Sequence, residues 1–370
     1  MQYGIAILPG DGIGHEVTAA AEQILVAVAA QYGIPLITTH HPCGAFHYQA
    51  TGRAIDPDTL AAIAHADATL FGAAGWPDIR DTNGVEIAPQ IDIREHFALF
   101  AGLRPVRLWL GVPGPLKSTD VDMLVIREQT EGLFAGRHDP AGNDPNSAQD
   151  RMVITRAGCE RLFDLAFAQA RLRRAQGKPG HVTLFDKSNV LRGMALMRRV
   201  FHEAAERNPD IPAQSLYIDN AAMLMVTNPS RFDVVVMENQ FGDIVSEIAA
   251  GLAGGLGIAP SADVGPTNAV FQPCHGTAPD IAGKNLANPI AAILSAALLL
   301  DHLAETKANP ACHQAADAIR TATAITLQNG PKTKDLGGTA TTTNVTEAIL
   351  VGLSSRETSG ANAPGQRTNS

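Results

Sequence analysis

Apolar positions along the chain fall into two alternating kinds of segment. Short runs such as Tyr3–Leu8, Ala68–Phe71, Met123–Ile126, Val182–Phe185 and Val234–Met237 are almost continuously apolar. Runs of that length suit strands covered on both faces. Between them lie longer stretches with helical spacing, at Glu16–Ala30, Arg161–Ala175, Gly193–Ala205 and Ile290–Leu303. In the first of these, Val17, Ile24, Leu25 and Val28 share one face. Strands alternating with helices predict an α/β architecture around a largely covered sheet. Two stretches break the rhythm. Arg137–Asp150 carries Pro140, Gly142, Asn143, Asp144, Pro145 and Asn146, and predicts a loop or the tip of an extended arm. Ser354–Ser370 is rich in Ser, Gly, Asn and Pro and predicts a disordered tail.

Composition narrows the class. The 370 residues suggest two domains or one large α/β unit, and 45% apolar residues can fill sizeable cores. A net charge of −9 with no long Lys/Arg block argues against a nucleic-acid partner. The longest apolar stretch, around Ile290–Leu300, falls short of the roughly 20 residues that span a bilayer, so no membrane is expected. Met1–Ile5 lacks the basic and apolar regions of a secretory signal. Cys43, Cys159, Cys274 and Cys312 are scattered, which predicts free thiols in a reducing cytoplasm. A small-molecule enzyme is the leading class.

Two local patterns carry candidate chemistry. Gly10, Gly12 and Gly14 follow the first strand, but His15 breaks the dinucleotide-binding spacing, so the loop reads equally well as a tight turn. Asp243 and Glu247 stand four residues apart in a helix expected to start near Asp243. Like charges on one helical face repel. A Mg²⁺ or Mn²⁺ ion would offset that cost, whereas two solvated acids favoured by the helix dipole need no ligand. Asp219, after the strand-like Leu216–Ile218, is a further candidate oxygen ligand.

Four segments then resemble one family. They are Leu8–Val17 (LPGDGIGHEV), Asp186–Val190 (DKSNV), Asn239–Glu247 (NQFGDIVSE) and His275–Pro289 (HGTAPDIAGKNLANP). With Leu103–Leu108 (LRPVRL) and Arg127–Gly132 (REQTEG), they run in order along nearly the whole chain. The chain resembles the isocitrate/isopropylmalate dehydrogenase family of β-decarboxylating dehydrogenases. LRPVRL with Gly111-Val112-Pro113 is most similar to the tartrate/D-malate branch. The resemblance implies a two-domain fold unlike the Rossmann fold. A cofactor-binding domain is expected from residues 1–99 and 251–353. A domain for dimerisation and catalysis is expected from residues 100–250, with an arm that clasps a partner. Arg137–Asp150 fits that arm. Active sites shared across a homodimer are implied.

The implied reaction passes a hydride from a 2-hydroxy acid to NAD(P) and then releases the β-carboxylate as CO₂. Arg94, Arg104 and Arg127 match the positions that bind the substrate carboxylates, a task suited to the forked guanidinium. Gln90 and Phe134 join them as substrate-binding candidates. Lys187 matches the base that takes the hydroxyl proton. A lysine base at neutral pH needs burial or a nearby cation. Asp219 is expected in catalysis and, with Asp243 and Glu247, as a ligand to Mg²⁺ or Mn²⁺. Lys187 and Asp219 are implied to reach across the dimer. His275, Gly276, Thr277, Ala278, Asp280, Ile281 and Asn288 match the adenosine-binding loop, and Asn189 a position near the nicotinamide. An acid at Asp280 can accept from ribose hydroxyls and would repel a 2′-phosphate, which predicts NAD.

Three departures stand out. Phe134 occupies the position of a family Tyr that protonates the enolate. Glu247 is one methylene longer than the family Asp. Glu86–Asp92 (EIAPQID) offers a mixed surface for substrate recognition, with Pro89 expected to start the helix carrying Arg94. The expected substrate is D-malate, tartrate or a 3-substituted malate such as 3-isopropylmalate. The first two departures also support an alternative, a catalytically altered or regulatory family member.

Overall fold

A computed structural model describes residues 2–116, 120–137, 139 and 146–354. All five apolar runs form strands and all four helical stretches form helices. The strands are β1 (Tyr3–Gly10), β2 (Leu36–His40), β3 (Ala68–Ala73), β4 (Ala101–Arg107), β5 (Asp122–Glu128), β6 (Val182–Asp186), β7 (Ala213–Tyr217), β8 (Val234–Met237), β9 (Pro260–Val264) and β10 (Ala269–Pro273). They make one sheet in the order β2-β1-β3-β10-β9-β4-β5-β8-β6-β7. On one side β2, β1, β3 and β10 are parallel, and on the other β5, β8, β6 and β7 are parallel. Between them β10–β9, β9–β4 and β4–β5 pair antiparallel. That antiparallel seam distinguishes the sheet from the all-parallel Rossmann arrangement.

The helices are α1 (Gly14–Gln31), α2 (Ala45–Thr51), α3 (Pro57–His65), α4 (Pro89–His96), α5 (Arg156–Ala175), α6 (Arg192–Arg207), α7 (Ile218–Thr227), α8 (Asn239–Ala253), α9 (Ile290–Thr306), α10 (Pro310–Asn329) and α11 (Thr342–Ser354). Pro89 does begin α4, where its missing N–H costs nothing. The apolar α9 is buried along nearly its whole length, as an all-round hydrophobic helix must be.

Apolar packing forms separate clusters on the two sides of the seam. Ile5, Ile24, Leu70, Phe271, Ile293, Leu300, Ile319 and Ile349 pack together from the two ends of the chain. Phe163, Phe167, Leu184, Phe201 and Val236 form another cluster, and Phe185, Phe232, Met237 and Val245 a third. Leu103 and Val264, on paired β4 and β9, touch the clusters of both sides.

The structure shifts two boundaries. Helix α8 begins at Asn239, four residues before the expected start, because the Glu238 carboxylate accepts from the Gln240 and Phe241 N–H groups and caps it. Asp243 therefore lies beyond the first turn, where the helix dipole no longer explains the acidic pair. Ser354 closes α11, and the rest of the expected tail lies outside the described residues. Part of the expected arm, residues 138 and 140–145, also lies outside them. Its flanks meet where Gly132 and Val153 exchange backbone hydrogen bonds of 2.7 and 3.0 Å.

Candidate active site

Register brings two arginines together first. Arg104 sits opposite Val125, and Arg127 opposite Gly102, so both project from one face of the β4–β5 pair. They are only 7% and 3% exposed. Buried guanidiniums need partners. Arg127 donates from Nε and Nη2 to Asn239 Oδ1 at 3.0 and 2.7 Å, and from Nη1 to Asp243 Oδ1. Arg104 donates to Ser246 Oγ at 2.6 Å and lies 3.6 Å from Asp243 Oδ1. Arg94, on α4, donates from Nε to Asp263 Oδ2 at 2.8 Å. Burial pulls the Arg127 guanidinium below its ordinary pKa, and the like charges of Arg94 and Arg104 pull it further, while Asp243 acts against them. Three crowded cations in a largely dry cleft favour an anion carrying more than one carboxylate.

Phe134 and Gln90 border this cluster. The Phe134 ring lies 5.4 Å from the Arg127 guanidinium carbon, a cation–π contact. Arg137, three residues on, donates to Asp92 of α4 at 2.7 Å and pairs with Glu95, tying the Phe134 turn to α4. Gln90 and Arg94 share one face of α4, and Gln90 Oε1 is buried without a partner among the described residues.

The acidic pair proves to be offset by protein charge. Arg127 and Arg104 both approach Asp243 through Oδ1, and Asp243 remains 43% exposed. Glu247 is exposed on the same helical face. Partial burial raises its pKa, Arg104 opposes the rise, and Asp243 adds to it. One free carboxylate oxygen on Asp243 beside a second acid is a donor set that fits a hard divalent cation. Asp219 does not join them within one chain, and no group of three metal-ligating side chains assembles among the described residues.

Asp219 instead pairs with Lys187. Lys187 follows β6 and Asp219 opens α7 after β7, so parallel strands place the two side by side. Lys187 Nζ donates to Asp219 Oδ1 at 2.6 Å. That hydrogen bond holds the Asp219 carboxyl below its usual range. Asn189 lies exposed in the turn after Lys187.

The loop after β10 packs on the β1–α1 turn. Ile13 N–H donates to Thr277 O at 2.9 Å, and a Cβ at Gly12 would lie 2.2 Å from that oxygen. Gly12, at φ +56°, is thus needed for close approach rather than for phosphate spacing. Asp11 fastens the same turn, accepting from Ala45, Phe46 and Gly75 N–H groups at 2.7, 3.1 and 2.9 Å. His275 Nδ1 donates to Gly276 O at 3.0 Å, while its Nε2 is buried without a partner among the described residues. Burial lowers the His275 pKa. Asn288 donates to Asp335 Oδ2 at 2.9 Å, and Lys284 donates to the Asp280 carbonyl at 2.7 Å. Ala278 turns at φ +39°, Asp280 is exposed, and Ile281 packs partly on the adjacent core. An orphaned ring nitrogen beside an open backbone at Gly276 fits a planar heterocycle and its ribose.

Sequence reasoning missed several supports of this cluster: Asn239, Ser246, Asp263, Gln129 and Gln272. A signal existed for two of them. Asp263 and Gln272 are polar residues inside otherwise buried strands, a placement that demands a partner.

Residues 4–349 match the sequence model of the family described as isocitrate/isopropylmalate dehydrogenase. The chain is 42% identical to a 3-isopropylmalate dehydrogenase of Salinibacter ruber over 341 residues, 90% of each chain. It is 40% identical to a 3-isopropylmalate/3-methylmalate dehydrogenase of Methanocaldococcus jannaschii, covering 94% of this chain and 98% of the other. Its fold superposes on an isocitrate dehydrogenase of Methylococcus capsulatus with a TM-score of 0.85 at 32% identity, covering 95% and 99%. The match of residues 4–349 to that family model, with relatives 40–42% identical over 90% or more of this chain, places the chain in the isocitrate/isopropylmalate dehydrogenase family.

Proposed function

We propose that the protein is an NAD- and divalent-metal-dependent dehydrogenase that oxidises and decarboxylates a D-malate-type acid. Candidate substrates are D-malate, tartrate and 3-substituted malates such as 3-isopropylmalate, with the named activities of the relatives favouring a 3-substituted malate. The observation that carries the reading is the buried cluster of Arg94, Arg104 and Arg127 beside Asp243. The expected form is a cytoplasmic homodimer. Its domains are residues 1–99 with 251–353, and 100–250.

The arginines hold the substrate carboxylates and exclude water from the C2–C3 bond. Lys187 Nζ, as the neutral amine, takes the hydroxyl proton, and Asp219, 2.6 Å away, holds it in place. Asp243 and Glu247, with Asp219 joining them across the proposed dimer, would hold a divalent cation that stabilises negative charge on the substrate oxygen, and NAD when bound would supply the hydride acceptor. His275, Gly276, Thr277, Ala278, Asp280, Ile281 and Asn288 hold the adenosine, and Asn189 borders the nicotinamide. Phe134 has no ionisable proton, so a water or another side chain must protonate the product carbon.

The test is NADH and CO₂ formation from D-malate, tartrate, isocitrate and 3-isopropylmalate with Mn²⁺. Turnover of a malate-type acid with NAD in preference to NADP is expected. A folded protein that binds NAD and turns over none of the panel would sink the proposal. A CO₂ yield well below the NADH yield would favour a second reading, oxidation uncoupled from decarboxylation, which the Phe134–Arg127 contact motivates.

A further inference from the structure

Asp263 is among the most deeply buried charges of the molecule, at 1% exposure. It lies in β9 at the antiparallel seam, opposite Gly102 of β4 and Val270 of β10. Its carboxylate accepts from three side chains on three different elements. Arg94 Nε of α4 reaches Oδ2 at 2.8 Å, Gln272 Nε2 of β10 reaches Oδ2 at 2.7 Å, and Gln129 Nε2, just past β5, reaches Oδ1 at 2.8 Å. The backbone is shaped for this convergence. A Cβ on Gly102 would lie 2.5 Å from Gln129 Nε2, so only glycine lets that amide cross β4 to Asp263.

An isolated carboxylate at this depth would be costly, and one opposite cation would compensate it. Two further neutral donors do something else. They fix both oxygens, and so fix the direction in which Arg94 can approach. The bond uses Arg94 Nε, which leaves the paired Nη donors out of that contact and available to a ligand carboxylate.

We infer that Asp263 is a positioning residue, which with Gln129 and Gln272 aims the Arg94 fork at a substrate carboxylate. The inference rests on the proposed role of Arg94 in substrate binding. It makes a prediction opposite in sign to simple charge balance. Removing a negative charge from an arginine cluster should strengthen anion binding if Asp263 only compensates charge. It should weaken binding if Asp263 aims Arg94.

The deciding measurement is calorimetric titration of D-malate and of 3-isopropylmalate into the full chain with Mn²⁺ and NADH, which prevents turnover. Asp263→Asn is expected to weaken dicarboxylate binding by about 10-fold or more, the scale of one charged hydrogen bond. In an Arg94→Gln background the same change should add no further loss. Unchanged or tighter binding by Asp263→Asn, or full additivity with Arg94→Gln, overturns the inference. Should Asp263→Asn fail to fold, Gly102→Ala decides. It displaces only the flexible end of Gln129 and should weaken binding about threefold, on the scale of one neutral hydrogen bond, and no change refutes the positioning role. A wild-type chain that binds neither acid removes the substrate reading itself, and the inference with it.

Discussion

The arginine cleft and the Lys187–Asp219 pair are both charged, and they are built in opposite ways. In the cleft, Arg104 and Arg127 are buried and held from several sides: Asn239, Ser246 and Asp243 hold the guanidiniums from α8, and Asp263 holds Arg94. Lys187 and Asp219 have side chains 30% and 66% exposed and hold each other. The cleft is thus organised by one chain's own packing. The pair receives no such support among the described residues. Buried, multiply bonded charges couple stability to function, whereas exposed pairs contribute little to either fold or rigidity.

The largest effects should separate the two regions. Arg127→Met should cut kcat/KM by about 10³ or more and destabilise the fold by about 3 kcal/mol, because Asp243 and Asn239 lose their partner. Lys187→Met should cut kcat by about 10³ yet leave the melting temperature nearly unchanged. Equal destabilisation by both changes would erase the contrast.

Mixing inactive Lys187→Met with inactive Asp243→Asn sharpens it further. If sites are shared across a two-fold dimer, reassociated mixtures should recover about a quarter of wild-type sites. No recovery, with exchange shown by native mass spectrometry, would place both groups in one chain's site.

Phe134→Tyr adds a phenolic proton against the cleft arginines. It should raise the rate at which turnover is completed, by about 10-fold or more if the hydroxyl is well placed. Unchanged rates would mean that the Phe134 position carries no proton in this protein.

The smallest effects concern pH, and the two regions differ in sign. Glu247 has a raised pKa from partial burial, so the folded state binds more protons than the unfolded one just above the ordinary carboxylate value. Stability from Glu247 should fall as pH rises through that window, by about 0.5 kcal/mol or less given its exposure. Asp219 is depressed by Lys187, so its contribution is present above the ordinary Asp value and is lost as pH falls below it. Urea midpoints across pH, with Glu247→Gln expected to flatten the upper slope, test both directions.

Much of the fold was legible because helix and strand periodicities are local. Val234–Met237 and Ile290–Leu303 could be assigned from their own residues. The start of α8 was not, since the capping carboxylate of Glu238 sits at the strand end, where its role depends on the turn that follows. Within the site, residue types were legible and their partners were not. The spacing of the acidic pair allows either a metal ion or two solvated acids, and neither reading contains the Arg104 and Arg127 guanidiniums that offset Asp243. Asp263 and Gln272 lie in short, mostly apolar strands, and only strand pairing places them within reach of each other.

By itself the sequence determined the alternation of strands and helices, the free cysteines, and the set of arginines and acids from which a dicarboxylate site can be made. Tertiary structure alone decided that Arg127 meets Asp243, 116 positions away, and that Arg94 meets Asp263, 169 positions away. The reason is physical. Periodicity is set by neighbours within a turn or a pleat, but the strength of a charge pair depends on distance, burial and geometry, which sequence spacing does not encode.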